Sequence, residues 1–127
     1  MIFDTIILGS SITGSTLASI LGRHGYRVLL LDRGRHPRFA LGEAMVAQTS
    51  FWLWLLSERY RVPEIKLLSN TRAVAQAVSR SCGIKRSVGF VHHHEGQVHD
   101  PDESTQIVAP EVPFTSESHL YRQDIDR

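Results

Sequence analysis

Two aliphatic runs, Ile6-Ile7-Leu8 and Val28-Leu29-Leu30-Leu31, flank a stretch whose apolar residues recur at helical spacing. Uninterrupted apolar runs predict strands buried on both faces, over residues 3–8 and 27–32, and the periodic stretch predicts a helix over 14–23. Gly25 marks the end of that helix. Gly14, Ser15 and Ala18 put small side chains on the side that must approach a sheet closely, and Leu17, Ile20 and Leu21 fill the rest of the packing surface. This is the pattern of a parallel βαβ crossover.

Further along the pattern is less regular. Residues 33–43 carry glycine and proline punctuation and three arginines, which predicts a loop. A helix is predicted from about Ala44 to Tyr60, and Pro63 then bounds a short segment, compatible with a helix, that runs to about Ser79. Residues 83–91 alternate as a strand, with Ile84, Arg86, Val88 and Phe90 on one face and Lys85, Ser87, Gly89 and Val91 on the other. Residues 92–119 read as mostly irregular, and 122–127 as the start of a helix.

The turn between the first strand and the helix carries the clearest chemistry. Gly9, Ser11 and Gly14 have the spacing of G-x-G-x-x-G with serine in the middle place, and Asp32 closes the second strand 18 residues after Gly14. A parallel βαβ unit that holds a dinucleotide needs a tight turn, free N–H groups at a helix start facing the pyrophosphate, and a carboxylate at the end of the second strand. Serine at position 11 still lets the backbone approach a phosphate and adds a hydroxyl donor, although it tolerates positive φ less well than glycine. A glycine-rich turn in some other α/β protein is the alternative, and the strand, helix, strand and acid around the motif weigh against it.

Composition adds exclusions. With 127 residues, 42% of them apolar, the chain has room for one modest domain. A net charge of +1 gives no electrostatic case for nucleic acid or an anionic membrane. From Glu95 to Ser118 there are six acidic residues and no lysine or arginine, which reads as a solvated connection. The single cysteine, Cys82, excludes an internal disulfide and a multi-cysteine metal site, so a reducing cytoplasm is the simplest compartment. Asp4 interrupts the N-terminal apolar stretch, so no secretory signal is read, and the longest apolar run, Phe51 to Leu56, is far short of a membrane span.

Three ordered blocks resemble the flavin-dependent halogenases and their relatives among FAD-dependent monooxygenases and geranylgeranyl-reductase-like enzymes. They are Asp4 to Asp32, Pro37-Arg38-Phe39-Ala40-Leu41-Gly42-Glu43 beside the family's P-R-F-x-I-G-E-S, and Arg122-Gln123-Asp124-Ile125-Asp126 beside its R-x-x-F/L-D. The family's serine after Gly-Glu is Ala44 here. The resemblance implies an α/β, Rossmann-like βαβ FAD-binding domain of glutathione-reductase type, incomplete at its C-terminus, with residues 1–127 as its N-terminal part and the substrate domain absent. It implies FAD as the held nucleotide, with Gly9, Ser11 and Gly14 at the pyrophosphate and Asp32 on the adenosine ribose. It puts Arg38, Gly42 and Glu43 along the flavin side, with Arg122 reaching back to the cofactor.

Lys85 precedes Phe90 by five residues, as a lysine precedes a phenylalanine in the similar region of tryptophan-type halogenases. In that family reduced flavin, oxygen and halide yield hypohalous acid, and the lysine holds or delivers the electrophilic halogen to an aromatic carbon. The resemblance therefore implies Lys85 as the catalytic residue, a partner reductase that supplies reduced FAD, a halide, and an aromatic or carrier-bound substrate. A solvated lysine on an edge strand is the alternative. Two enzymes on the same fold, an FAD monooxygenase or a geranylgeranyl-type reductase, remain open, as does a truncated, non-catalytic FAD-binding fragment.

Other patterns carry less. Trp52-Leu53-Trp54 resembles the halogenases' W-x-W-x-I-P, but it lies in a helical apolar run and reads as core packing. His92-His93-His94 reads as an exposed loop or strand end, because neighbours on an extended segment point to alternate sides. Cys82 has no evident partner base and reads as inert.

Overall fold

The computed structural model describes residues 2–109 and 116–126. The first unit is the expected crossover: β1 (Thr5–Leu8), α1 (Ile12–Arg23) and β2 (Val28–Leu31), with β1 and β2 parallel and Thr5 opposite Val28 through Leu8 opposite Leu31. Sequence led us to expect both strands buried on both faces. Instead β1 alternates, with Ile6 60% and Leu8 81% exposed while Thr5 and Ile7 are half-buried. The reason is that α1 covers one face of this two-stranded sheet, and no described element covers the other.

The second helix starts three residues later than its apolar pattern suggests. Residues 43–45 pair instead with the chain's far end: Leu120 N–H donates to the Glu43 carbonyl at 2.7 Å and Met45 N–H to the Ser118 carbonyl at 2.8 Å. Backbone groups used across such a ladder cannot also close helical turns, so α2 runs over Ala47–Tyr60. Arg61 ends it in the left-handed region with φ of 56°. The segment from 63 to 79 is broken into α3 (Pro63–Lys66), a 3₁₀ turn at Leu67–Ser69 and α4 (Thr71–Ala77). Asn70 is the physical cause of the last break, because its side chain accepts from the N–H groups of Arg72 and Ala73 and caps α4.

The strand expected over 83–91 divides at Lys85. β3 (Gly83–Ile84) pairs antiparallel with β6 (Ser118–His119), whereas β4 (Ser87–Val91) pairs antiparallel with β5 (Ser104–Val108). The acidic stretch read as irregular thus contains a strand, β5, that is exposed throughout. Residues 110–115 of that stretch lie outside the described residues, as does Arg127 at the end of the expected final helix, of which α5 (Arg122–Ile125) is described.

The buried centre is formed by Ile20, Met45, Leu53, Val62, Ile65, Val74 and Leu120. It joins α1 to the helical segment and to the return of the chain after β6. Leu53 enters this core from α2, but Trp52 is 56% exposed, so core packing accounts for only part of the Trp-Leu-Trp segment. A helix turns about 100° per residue, and adjacent positions cannot share a narrow buried face.

Candidate dinucleotide and lysine sites

At the carboxyl ends of β1 and β2 lies an open cleft of about 810 Å³, lined by Leu8, Gly9, Leu31, Asp32, Arg33, Gly34, Arg38 and Phe39. Gly9 takes a φ of +103°, which favours glycine, and its N–H donates to the Leu31 carbonyl at 2.7 Å. Gly14 is required for a different reason. A Cβ there would stand 1.9 Å from the Gly9 carbonyl oxygen, so α1 can begin this close to the strand end only without a side chain. Ser11 is the N-cap of α1 in extended conformation, and its side chain makes no capping bond. The helix start therefore keeps free donors beside the cleft, which suits a pyrophosphate.

Asp32 is held from several sides. Ser10 donates from its N–H (2.8 Å) and its hydroxyl (2.9 Å) to Oδ2, Gly34 N–H donates to Oδ1 at 2.8 Å, and Arg38 Nη2 stands 3.7 Å from Oδ2. The Ser10 and Gly34 N–H groups, the Ser10 hydroxyl and the Arg38 charge together hold the Asp32 carboxyl well below the usual carboxylate range. A carboxylate offers about four acceptor sites, and with Ser10 and Gly34 donating three bonds one site on Oδ1 remains for a ribose hydroxyl. The Ser10 hydroxyl also lies 2.6 Å from His36 Nε2. Arg38 Nε is buried without a protein partner among the described residues, an unsatisfied donor at the wall of the cleft. These features fit a dinucleotide: a helix start without side-chain caps, a carboxylate with one spare acceptor site, and an arginine with a free donor. Asp32 also disfavours a 2′-phosphate by like charge.

The remaining expected residues sit elsewhere. Gly42 has a φ of +89°, and the side chain of Glu43 is exposed. Arg122 spans α5 and the 41–42 loop. Its Nη1 donates to the carbonyls of Leu41 (2.8 Å) and Gly42 (3.3 Å), while Nε and Nη2 form a bidentate pair with Asp126 at 3.0 and 2.6 Å. Lys85 is 9% exposed, so it is not a solvated edge lysine. Its Nζ donates to the Met45 carbonyl at 3.0 Å and lies 2.6 Å from Glu117 Oε2, beside a second cleft of about 220 Å³.

Sequence reasoning missed Ser10, Gly34 and Glu117. The first two had a signal: Asp32-Arg33-Gly34 is an Asx turn, a pattern aspartate and glycine favour. Glu117 had none, since it was one of six acids in a stretch read as solvated. His92, His93 and His94 are exposed in the connection between β4 and β5. The Cys82 sulfur accepts from Tyr121 N–H at 3.2 Å. Among the described residues no helix is long and apolar enough to cross a membrane.

The profile of the NAD(P)-binding Rossmann-like domain matches residues 7–46, the segment that carries the turn, Asp32 and Arg38. Two curated proteins match far more of the chain. Monodechloroaminopyrrolnitrin halogenase PrnC of Pseudomonas fluorescens and tetracycline 7-halogenase of Kitasatospora aureofaciens are each 44% identical over 124 residues, 98% of this chain. The chain is flavin-dependent-halogenase-like in sequence and fold. The solved structure of halogenase PltM with phloroglucinol and FAD superposes with a TM-score of 0.83 at 42% identity, again over 98% of this chain. The halogenase-like chain spans 22% of the length of the two curated relatives and 24% of the PltM chain.

Proposed function

We propose that this chain is the FAD-binding N-terminal portion of a halogenase that uses reduced flavin, oxygen and halide to halogenate an aromatic or carrier-bound substrate. The observation that carries this reading is the likeness to halogenases across 98% of the chain, combined with a cleft whose donors and carboxylate suit a dinucleotide. FAD, when bound, supplies the oxygen chemistry. The chain's own residues bind and orient it: the Gly9–Gly14 turn and the Ser11 helix start take the pyrophosphate, Asp32 accepts from a ribose hydroxyl, and Arg38 donates from Nε. Arg122 acts on the flavin side through the Leu41–Gly42 carbonyls that it holds, and so sets the backbone next to Glu43. A separate reductase supplies reduced FAD.

Lys85 is the catalytic residue of this reading. Burial restricts its ammonium to one place at the second cleft, where it donates hydrogen bonds to the halogen-bearing species and directs it to an aromatic carbon. A lysine suits this because its ammonium is compact and has three donors. The test is FAD titration and halogenation assays on the full-length protein. Stoichiometric FAD uptake, with halogenation abolished in Lys85→Ala at unchanged FAD affinity, is the expected result. Absence of FAD uptake overturns the reading, as does a Lys85→Ala variant that still halogenates. Oxygenation of the substrate without halogen transfer would assign the fold to a monooxygenase instead.

A further inference from the structure

We propose that Glu117 is the positioning counter-ion of Lys85, and that the buried hydroxyls of Thr71, Ser116 and Ser118 hold Glu117 in register for that task. The proposal deepens the halogenase reading and rests on Lys85 being its catalytic residue.

The side chains of Lys85 and Glu117 are 9% and 11% exposed, and Nζ and Oε2 approach to 2.6 Å. Two opposite charges removed from water need excellent geometry and further hydrogen bonds to be tolerated. The lysine end has one, since Nζ donates to the Met45 carbonyl. The glutamate end meets the ammonium itself, which lies 2.6 Å from Oε2. The cleft is lined by both members of the pair, with Ile84, Arg86, Val108 and Ala109, so a small ligand entering it meets the ammonium and the carboxylate together.

The backbone around Glu117 is tied on both sides. Lys85 N–H donates to the Glu117 carbonyl at 3.0 Å, which ties the two residues by main chain as well as side chain. On either side, the Thr71 hydroxyl lies 2.8 Å from the Ser116 hydroxyl and 2.7 Å from the Ser118 hydroxyl, and Thr71 N–H donates to Ser116 Oγ at 2.7 Å. Ser116 N–H donates to the Ser69 carbonyl at 3.1 Å, and Ser50 Oγ donates to the Ser116 carbonyl at 3.1 Å. Every other residue of this segment thus points into a satisfied polar network, and strand alternation turns Glu117 the opposite way, toward Lys85. An extended lysine has four rotatable side-chain bonds, and holding its ammonium at one point needs an anchor at the charged end. Glu117 provides one by ion pairing and the Met45 carbonyl another by a hydrogen bond, which leaves the ammonium donor capacity for the ligand.

The experiment compares Glu117→Gln, Glu117→Asp, Lys85→Ala and the Lys85→Ala/Glu117→Gln pair in the full-length protein. Its readouts are halogenation kinetics, FAD affinity and the side-chain ammonium resonance of Lys85. The Glu117→Gln change is expected to lower kcat by roughly tenfold to a hundredfold through misplacement of the ammonium, with KM for halide and FAD affinity within about twofold. Glu117→Asp recovers part of the rate. The slowly exchanging Lys85 ammonium signal disappears in Glu117→Gln, and Glu117→Gln costs nothing further once Lys85 is alanine. A wild-type kcat in Glu117→Gln beside an inactive Lys85→Ala overturns the pairing alone. Parallel loss of FAD affinity and rate in both the Gln and Asp variants also overturns it, since that is the signature of a scaffold. A halogenating Lys85→Ala removes the reading beneath it.

Discussion

A Cβ added to Gly14 would stand 1.9 Å from the carbonyl oxygen of Gly9, closer than any real contact allows. The last residue of the glycine motif is thus fixed by the carbonyl of the first. Gly14→Ala forces α1 away from the strand end, and a cost of about 1–3 kcal/mol is expected from the forced shift. Denaturant unfolding checks the stability, and FAD titration should show weaker binding, because the helix start that faces the pyrophosphate has moved.

Asp32 gives the chain a pH signature. Its folded-state carboxyl lies well below the ordinary carboxylate range because Ser10, Gly34 and Arg38 favour the charged form. A group with a depressed folded value contributes stability above its unfolded value, about 3.9, and loses it as pH falls toward the folded one. Unfolding midpoints measured from pH 7 downward should therefore decline below about pH 4. Asp32→Asn should be less stable at neutral pH and should lack this part of the acid slope.

Arg122 and Asp126 form a two-bond pair in which the carboxylate is fully buried and the guanidinium nearly so. Removal of one partner leaves a buried charge without compensation, so Arg122→Ala should cost about 3–5 kcal/mol by thermal or denaturant unfolding. Arg122→Lys retains the charge but cannot hold the fork together with the Leu41 and Gly42 carbonyls. It should lose less stability than Arg122→Ala while still weakening FAD.

Thr71 joins two serine hydroxyls and caps no helix with its own side chain. Thr71→Val keeps the volume and removes the hydroxyl, which leaves Ser116 and Ser118 short of a partner in a buried place. The expected loss is about 1–3 kcal/mol. A Thr71→Ser variant should restore most of it, and urea unfolding of the three proteins decides between a hydroxyl effect and a packing effect.

The glycine turn, the crossover and Asp32 were legible because each rests on a local rule: a tight turn, small residues at a close helix, and an acid at the strand end. Even there the sequence misjudged burial, for an aliphatic run records what a strand is suited to contact. Ile6 and Leu8 remain exposed where only one face of the sheet is covered. The breaks at Ala44 and Lys85 were not legible, since both arise from pairing with β6, formed by residues at the far end of the chain.

By itself, then, the sequence determined the βαβ unit with its glycine turn and the carboxylate at the end of its second strand, while Lys85 came from a family resemblance. Only the tertiary structure decided that Lys85 is buried, that Glu117 is its partner, and that Arg122 grips the 41–42 loop. Local patterns set backbone preference through contacts a few residues apart, whereas a charge pair 32 residues apart in sequence exists only once β3 and β6 have fixed their register.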